Sequence, residues 1–331
     1  MILGIETSCD ETAAAVIGTG PVLLSNIVAS QIDLHAKTGG VVPEVAARHH
    51  IEQINAVIAD ALSSAGIGFP QISAVAVANR PGLLGALLVG VSAAKALAYT
   101  LDIPLIGIHH IEAHIYANWL VKNDLEFPLV ALVASGGHTE IFLMRDHGQY
   151  EVLGRTRDDA AGEAFDKSAR LLGLPYPGGM YIDRLAATGN PKRVALPRAR
   201  LESTSLDFSY SGLKTAVRTA KLDPKNADIS IEDWSASIQE AIVAPLVDKT
   251  IAAAKRHSAR NVLLAGGVAA NSRLRAAMQE ACHQNGFPTT APPKDLCTDN
   301  AAIIGTAGYY RLQRGLTDTL DLDTIASERL A

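Results

Sequence analysis

The amino-acid sequence predicts a two-lobed α/β fold in which a mixed β-sheet with flanking helices occurs twice. Length is the first reason, because 331 residues exceed what one core comfortably fills. Composition is the second, since 48% hydrophobic and 19% charged residues provide ample material for packed interiors. The third is a repeated pattern of three short apolar runs separated by turns, which begins at residue 1 and again at residue 128.

The elements of the first half follow from local patterns. Apolar runs separated by polar turns predict three strands over residues 1–30. Residues 44–66 have apolar residues at helical spacing and end in glycine, which predicts a helix. A strand that runs into a loop, a long helix, a second strand and a shorter helix are predicted next, at residues 72–82, 83–100, 103–110 and 110–121.

The second half repeats this order. A meander of strands starts at residue 128, and a helix-rich stretch covers 161–255 with a Pro/Gly-rich loop at 173–179. A strand, a Gly-Gly turn and two further helices complete the chain. We place the first lobe at 1–108 plus 299–331 and the second at 109–298. Such a duplicated pattern suits the actin/hexokinase-like (ASKHA) superfamily, with the ligand in the cleft between the lobes.

Charge and composition restrict the function classes. The net charge is −5, whereas a protein that binds nucleic acid unaided is usually basic, so RNA binding would require a partner or a local patch. Arg198 with Arg200, or Lys214 with Arg218, are candidates for such a patch. Three cysteines without a CxxC pair, and no signal peptide, predict a reducing, cytoplasmic location. The apolar run 82–101 contains Lys95 and predicts a buried helix rather than a membrane span.

The stretch "HHIEAH" (109–114) is the densest cluster of metal-binding side chains. His110 and His114 are four residues apart, so on a helix their Cβ atoms lie about 6 Å apart on one face. Such a pair fits one metal ion with a third ligand from elsewhere, and it fits equally an exposed helix with incidental histidines. A zinc protease would need HExxH, but Ile111 stands where that motif has glutamate.

Other polar stretches each allow a ligand and a structural interpretation. Ser135–Gly137 followed by His138 fits an anion-binding loop or a glycine-rich hairpin. Asn271, after Gly266-Gly267, fits a ligand contact or a helix N-cap. Asp166 with Lys167 fits a ribose contact or a solvated helical pair, and the spacing alone favours the pair. Asp299 fits a ligand contact or, more readily, a helix N-cap. The acids Glu6, Asp10 and Glu11 either hold a cation, act as a base or solvate a turn.

Taken together, these stretches have a familiar order. From end to end they read "IETSCDETAAAV", "HAKTGGVVPEVAARHH", "RPGLLGALLVG", "HHIEAHIYA", "LVASGGHTEI", "AGEAFDKSARLLGLPYPGG", "FSYSGLKT", "AGGVAANSRLR" and "CTDNAAIIG". The sequence closely resembles the bacterial TsaD family, tRNA N6-adenosine threonylcarbamoyltransferases formerly called O-sialoglycoprotein endopeptidases. The resemblance implies an acyltransferase that moves threonylcarbamoyl from threonylcarbamoyl-AMP to N6 of the adenosine 3′ of the anticodon, in tRNAs reading codons that begin with A.

The resemblance also implies the site, residue by residue. The family's metal triad matches His110, His114 and Asp299 and implies one iron(II) or zinc ion per chain. Asp10, Glu11 and His138 match residues associated with activity. The matching substrate-binding positions are Val133, Ala134, Ser135, Gly136, Gly137, Asp166, Gly179, Asp183 and Asn271. Most of this site falls in the second predicted lobe.

The resemblance also concerns binding partners, and the sequence differs from the family at one loop position. The resemblance implies tRNA, a TsaB-like inactive paralogue and a TsaE-like small ATPase as partners, and no membrane association. Arg80 stands where the family usually has glycine before "PGL", as a local variant of the loop or an added phosphate contact. The alternative functions are an ATPase or kinase of the same superfamily, and a metalloprotease.

Overall fold

The structure, a computed structural model, describes residues 1–198 and 204–331. Arg200 lies outside the described residues, so the suggested Arg198–Arg200 patch is described only at Arg198. The chain divides into two compact units. Unit 1 comprises Met1–Leu125 and Thr298–Ala331, and unit 2 comprises Glu126–Cys297.

Unit 1 contains a five-stranded mixed sheet with strand order β3-β2-β1-β4-β5. Its strands are β1 (Ile2–Glu6), β2 (Glu11–Ile17), β3 (Leu23–Ser30), β4 (Ala74–Arg80) and β5 (Leu105–His109). The first three form an antiparallel meander, whereas β4 and β5 run parallel to β1. Its helices are α1 (Ile32–Ala36), α2 (Pro43–Ser64), α3 (Leu84–Leu101), α4 (His110–Tyr116) and, after unit 2 in sequence, α10 (Ala301–Gln313).

The core of unit 1 forms between this sheet and its helices. Helices α2 and α3 pack on one another and on the sheet, and α10 packs on β1, β2 and β4. Gly4 allows this close approach, because a Cβ there would lie 2.4 Å from the carbonyl oxygen of Ala301. The predicted helices and strands of this half are confirmed, except that the helix expected over 110–121 becomes a 3₁₀ turn after Tyr116.

Helix α3 is less buried than its sequence predicts. It is the one helix of the described chain that is long and apolar enough to cross a membrane by length and composition, and a third of its residues are buried. Leu87, Val91 and Ala94 face the core, which agrees with a helix packed into unit 1. Leu88 and Tyr99 are exposed, so a large part of the apolar surface of α3 remains outside the core.

Unit 2 contains a second five-stranded mixed sheet, of order β10-β9-β6-β7-β8. Its strands are β6 (Leu129–Ala134), β7 (Thr139–Asp146), β8 (Gln149–Arg155), β9 (Asn261–Ala265) and β10 (Thr289–Thr290). Its helices are α5 (Ala161–Leu171), α6 (Gly179–Ala186), α7 (Ser211–Leu222), α8 (Ile231–Arg256) and α9 (Ser272–Gln284). The core lies between the sheet and these helices, with α8 contributing the longest buried face.

The two sheets share one topology. Each begins with a three-stranded antiparallel meander, and two strands parallel to its first strand follow on the other side. This confirms the predicted duplication. The units divide at Leu125 and Thr298, later than the predicted boundary at residue 108. Residues 109–125 belong with unit 1 because α4 directly continues β5 and packs against α10.

Candidate functional site

The histidine-rich stretch lies at the end of a buried strand. All five residues of β5 are buried, and the chain turns directly into α4 at His109. The ring of His109 accepts a hydrogen bond from the backbone N–H of Ile111 at 3.2 Å, which caps the helix. His110 and His114 then occupy successive turns of one helix face. The buried end of β5 and the cap at His109 therefore position both rings.

Asp299 completes a group of three metal-ligating side chains in unit 1. The Nε2 atoms of His110 and His114 are 3.2 Å apart. The Oδ1 atom of Asp299 lies 3.4 Å from the first and 3.2 Å from the second. Asn300, not Asp299, caps α10, because its side chain accepts from the N–H of Ile303. The N-cap interpretation of Asp299 is therefore wrong, and its carboxylate is left to face the histidines.

The donor set fits a divalent metal ion. Ligands about 2.0–2.1 Å from a tetrahedral ion lie about 3.3 Å from one another, and the three observed separations agree with this spacing. Two imidazoles and one carboxylate are also ligands that both zinc and iron(II) accept. The three atoms come from one unit, so the candidate metal centre is formed within unit 1.

Glu6 orients the first histidine of the pair. Its side chain is fully buried, and its Oε2 atom lies 3.0 Å from Nδ1 of His110. The Ser8 hydroxyl lies 3.2 Å from the same nitrogen, and the N–H of Ser8 donates to the other Glu6 oxygen. A proton held on Nδ1 by a carboxylate leaves Nε2 free as a ligand. In the sequence Glu6 is only one of three acids near a turn, because its partner is 104 residues away.

The titration of this group reflects its crowded charges. Burial lowers the pKa of His110, but the carboxylates of Asp299 and Glu6 outweigh it and raise that pKa well above its usual value. Burial raises the pKa of Asp299, yet the adjacent His110 and His114 hold it well below its ordinary range. Both shifts express the same attraction: negative carboxylates surround a place where a cation is stabilised.

The acidic turn between β1 and β2 lies within electrostatic range of this centre. Burial, with the nearby charges of Asp10, Asp299 and Glu6, raises the pKa of Glu11 to about 8, although a hydrogen bond from Ser30 opposes this. The Ser30 hydroxyl donates to Oε1 of Glu11 at 2.8 Å, and Oε2 is buried with no partner among the described residues. Glu11 thus has a carboxylate oxygen available for a proton, as a general base requires.

The glycine-rich loop predicted to bind substrate lies in unit 2. Val133 and Ala134 end β6, and Ser135–His138 form the turn to β7. The carbonyl of Ser135 accepts from the N–H of Gly162 at 3.1 Å, so this turn rests on the start of α5. A Cβ at Gly136 or Gly137 would meet no atom within 4 Å, so the loop leaves open space beside its backbone. His138 therefore lies in unit 2, whereas Asp10 and Glu11 lie in unit 1.

Two predicted ribose-binding carboxylates hold backbone N–H groups. Asp166 accepts from the N–H of Gly178 at 2.7 Å and also from Gly179, where α6 begins; burial nevertheless raises its pKa. Lys167 pairs instead with Asp159 and Glu163, so the predicted Asp166–Lys167 pair is wrong. Asp183 accepts from the N–H and hydroxyl of Ser272 at the start of α9. Each carboxylate retains acceptor capacity for a ligand.

Asn271 is a helix N-cap, as one of its two interpretations predicted. Its Oδ1 accepts from the N–H of Leu274 at 2.9 Å, and its Nδ2 donates to Gln239 at 2.7 Å. The preceding Gly266 has φ +83°, and a Cβ there would lie 2.4 Å from the carbonyl oxygen of Ala134. This glycine brings the turn after β9 against the end of β6. No local sequence pattern predicts this contact, because Gly266 and Ala134 are far apart in the chain.

Comparison with known proteins identifies the family. A family model described as TsaD, tRNA N6-adenosine threonylcarbamoyltransferase, matches residues 22–306. The chain belongs to this family. A tRNA N6-adenosine threonylcarbamoyltransferase of Halalkalibacterium halodurans is 54% identical over 325 residues, covering 98% of this chain and 94% of the relative. The protein of that name from Bacillus subtilis is 54% identical and covers 97% and 93%.

Solved structures of low sequence identity share the fold of this chain. HypF of T. kodakarensis matches with a TM-score of 0.62 at 15% identity, covering 96% of this chain and 48% of HypF. Component A of the (R)-2-hydroxyglutaryl-CoA dehydratase of Acidaminococcus fermentans matches with a TM-score of 0.55 at 14% identity, covering 94% and 98%. These neighbours confirm the predicted actin/hexokinase-like fold.

Proposed function

We propose that the chain transfers the threonylcarbamoyl group of threonylcarbamoyl-AMP to N6 of the adenosine 3′ of the anticodon, in tRNAs reading codons that begin with A. Family membership supports an acyltransferase acting on tRNA. The structural observation that carries the proposal is the convergence of His110, His114 and Asp299 on one cation position. A tRNA substrate also supports a cytoplasmic location.

The metal centre would activate the acyl donor. An iron(II) or zinc ion held by His110, His114 and Asp299 supplies Lewis-acid polarisation of the threonylcarbamoyl carbonyl when bound. Glu6 keeps the proton of His110 on Nδ1, so that Nε2 stays available as a ligand. Activation of the donor matters because the adenosine N6 lone pair is delocalised into the base and is a weak nucleophile.

The residues of unit 2 would bind the adenylate part of the donor. In the Val133–Gly137 segment the Ser135 N–H already donates to the carbonyl of His138, so Gly136 and Gly137 would offer backbone N–H groups to the phosphate. Asp166 and Asp183 retain acceptor capacity for the ribose hydroxyls, and the start of α6 at Gly179 lies beside Asp166. Asn271 caps the start of α9, where the neighbouring Ser272 donates a hydrogen bond to Asp183, and we place Asn271 in the same adenylate pocket.

The transfer of threonylcarbamoyl to N6 requires one proton acceptor. A bond forms between N6 and the carbonyl carbon, the bond from that carbon to the phosphate oxygen breaks, and AMP leaves. The N6 proton passes to a base, for which Glu11 is our first assignment, since its raised pKa suits proton uptake. Asp10 would support the charge of this turn, and His138 is the second candidate for the base.

The competing functions make different use of the same residues. An ATPase or kinase would hold phosphates through Mg²⁺ and oxygen ligands, whereas this cluster offers two imidazole nitrogens. A metalloprotease would need a glutamate directly after His110, and Ile111 stands there. ATP hydrolysis without acyl transfer would favour the first alternative.

The experiment combines a metal assay with a transfer assay. The full chain and its partner proteins are incubated with threonylcarbamoyl-AMP and tRNA, and metal is measured by elemental analysis. The His110→Ala/His114→Ala variant is expected to lose both bound metal and transfer. His283→Ala, an exposed histidine on α9, is the control and is expected to change neither. Normal transfer by the double variant would contradict the proposed metal role.

A further part of the proposal concerns the partner that resembles TsaB. Ile51 on α2 is 63% exposed, and Leu84 and Leu88 on α3 are 50% and 46% exposed. They flank a close contact between Ala47 and Gly85, so the exposed side chains form one apolar face. We assign this α2–α3 face to the paralogous partner. Leu88→Asp should abolish co-purification with that partner, while Leu222→Asp, at an exposed leucine of α7 in unit 2, should not.

A further inference from the structure

Unit 2 contains a cavity whose lining includes none of the residues proposed above to bind the metal or threonylcarbamoyl-AMP, although Arg198 of the candidate RNA patch lies in it. Its volume of about 360 Å³ falls in the range of small-ligand pockets. It lies where the start of α7 and the middle of α8 meet the segment after β8. Arg198, Asp207, Gly212, Leu213, Pro245 and Lys249 are among the residues that line it.

A partly buried lysine gives this cavity positive charge. The Lys249 ammonium donates to the carbonyl of Ser205 at 2.7 Å and lies 5.9 Å from the centre of the Phe208 ring. Within the described parts of the chain, no carboxylate forms an ion pair with it. Asp207, the one acid of the lining, is already neutralised by Arg157 at 2.9 Å and accepts the N–H of Arg155. The cavity therefore has an ammonium group available for an anion.

The remaining walls suit a flat, partly polar group. Pro197, Leu213 and Pro245 provide apolar surface. Pro245 lies inside α8 and has no N–H, so the carbonyl of Ala241 lacks its usual helical donor. Both residues line the cavity. A nucleobase is a flat ring with apolar faces and polar edges, and it matches a wall of this kind.

The distribution of charge between the units favours a polyanion on unit 2. Residues 126–297 contain 21 Lys and Arg against 19 Asp and Glu, a net charge of +2. The rest of the chain contains 8 and 15, a net charge of −7. Although the whole chain has a charge of −5, unit 2 is slightly positive and does not repel nucleic acid. Arg198, half exposed and 3.6 Å from Glu240, adds a second cation at the cavity.

We propose that this cavity binds one unstacked nucleotide of the RNA substrate. The base lies against Leu213 and Pro245, and its phosphate contacts Lys249 and Arg198. Single-stranded RNA is recognised through bases held in apolar sites and phosphates held by cations. The choice of RNA rests on the proposed function, while the chemistry itself is that of a nucleoside monophosphate. Free AMP is therefore the alternative source of the same chemistry, and the test separates the two.

Two variants of the full chain test the cavity, each with a matched control. Gly212→Leu fills it, because a Cβ at Gly212 meets no atom within 4 Å and its backbone needs no positive φ. Thr219→Leu adds the same side chain to an exposed position of α7 outside the cavity. Lys249→Gln removes the ammonium charge. Lys255→Gln removes an exposed charge from the last turn of the same helix.

The readout is binding of an anticodon stem-loop RNA between about 50 and 200 mM salt, without threonylcarbamoyl-AMP. Lys249→Gln should weaken binding roughly tenfold at low salt and reduce the slope of log K against log[salt] by about 1. Gly212→Leu should weaken it roughly tenfold or more, and both controls should match the unaltered chain. This experiment measures RNA binding and not acyl transfer. Absence of transferase activity would therefore contradict the proposed function without affecting the result for the cavity.

Two results would overturn the proposal. One is unchanged RNA affinity and salt slope in both cavity variants. The other is a loss of AMP binding in those variants with RNA binding intact, which would assign the cavity to a free nucleotide. Thermal unfolding of each variant is measured alongside. If Gly212→Leu unfolds, Lys249→Gln decides alone, since Lys249 is partly exposed and glutamine preserves a polar side chain there.

Discussion

The turn after β1 in unit 1 and the turn after β6 in unit 2 have equivalent places in the duplicated fold but opposite chemistry. Each connects two antiparallel strands through four residues, Thr7–Asp10 and Ser135–His138. The first is bordered by Glu6 and Glu11 and lies within electrostatic range of Asp299. The second contains two glycines and no carboxylate. One backbone plan therefore carries an acidic turn in one unit and a glycine-rich turn in the other.

The next loops differ in the same way. At the end of β4, Arg80 forms an ion pair with Glu328 and donates to Asn79 at 2.8 Å. After β9, the equivalent strand of unit 2, Gly266 has a positive φ and touches the end of β6. Side-chain pairing organises the loop in unit 1, whereas close backbone contact organises the loop in unit 2. The following predictions test this difference, beginning with the largest expected effect.

Gly266→Ala should destabilise unit 2 strongly. The new Cβ would lie 2.4 Å from the carbonyl oxygen of Ala134, and the φ of +83° is unfavourable for alanine. Strained backbone and steric overlap together should lower the free energy of unfolding by on the order of 3 kcal/mol. Denaturant unfolding measures this change. Gly267→Ala is the control, because a Cβ there meets no atom within 4 Å, and equal stability of the two variants would refute the backbone-contact interpretation.

Glu6→Gln should weaken metal binding without removing a ligand. The substitution keeps the size of the buried side chain but removes the charge that holds the Nδ1 proton of His110. Loss of such a partner costs about 10–100-fold in metal affinity. Competition with a chelating dye measures the affinity for zinc. Ser8→Ala removes only a neutral contact to the same nitrogen and should have a smaller effect; if the two variants behave alike, the charge of Glu6 is not the cause.

The sequence alone predicts the duplicated fold of the two units. It does not predict the long-range contacts that distinguish them. Strand and helix patterns repeat along the chain, so apolar periodicity is enough to predict the duplicated topology. The pairing of His110 with His114 follows from helical spacing, but spacing alone leaves a metal site and an exposed helix equally acceptable. Asp299 and Glu6 approach these histidines across long sequence separations, and no local pattern encodes such distances. The resemblance to the family supplied Asp299, and the structure supplied Glu6.

The pH dependence of transfer should reveal Glu11. With a pKa of about 8, its carboxyl is protonated below that pH and cannot accept a proton. The single-turnover rate should therefore rise about tenfold between pH 7 and pH 9 and then level off, as the carboxylate form is populated. Glu11→Gln should lower the rate and abolish this rise. A Glu11→Gln variant that keeps both the rate and the profile of the unaltered enzyme would exclude Glu11 as the base.

Arg80→Ala should have the smallest effect, on stability alone. Arg80 stands where the family usually has glycine, and the structure engages it with Glu328 rather than leaving it free to contact a phosphate. The side chains are 23% and 41% exposed, so water screens the pair, and its loss should cost about 0.5–1 kcal/mol of unfolding free energy. A double-mutant cycle with Glu328→Ala isolates the pair energy from other effects. Transfer should continue at the unaltered rate, because both side chains belong to the structure of unit 1; a lower rate with full stability would instead make Arg80 a substrate contact.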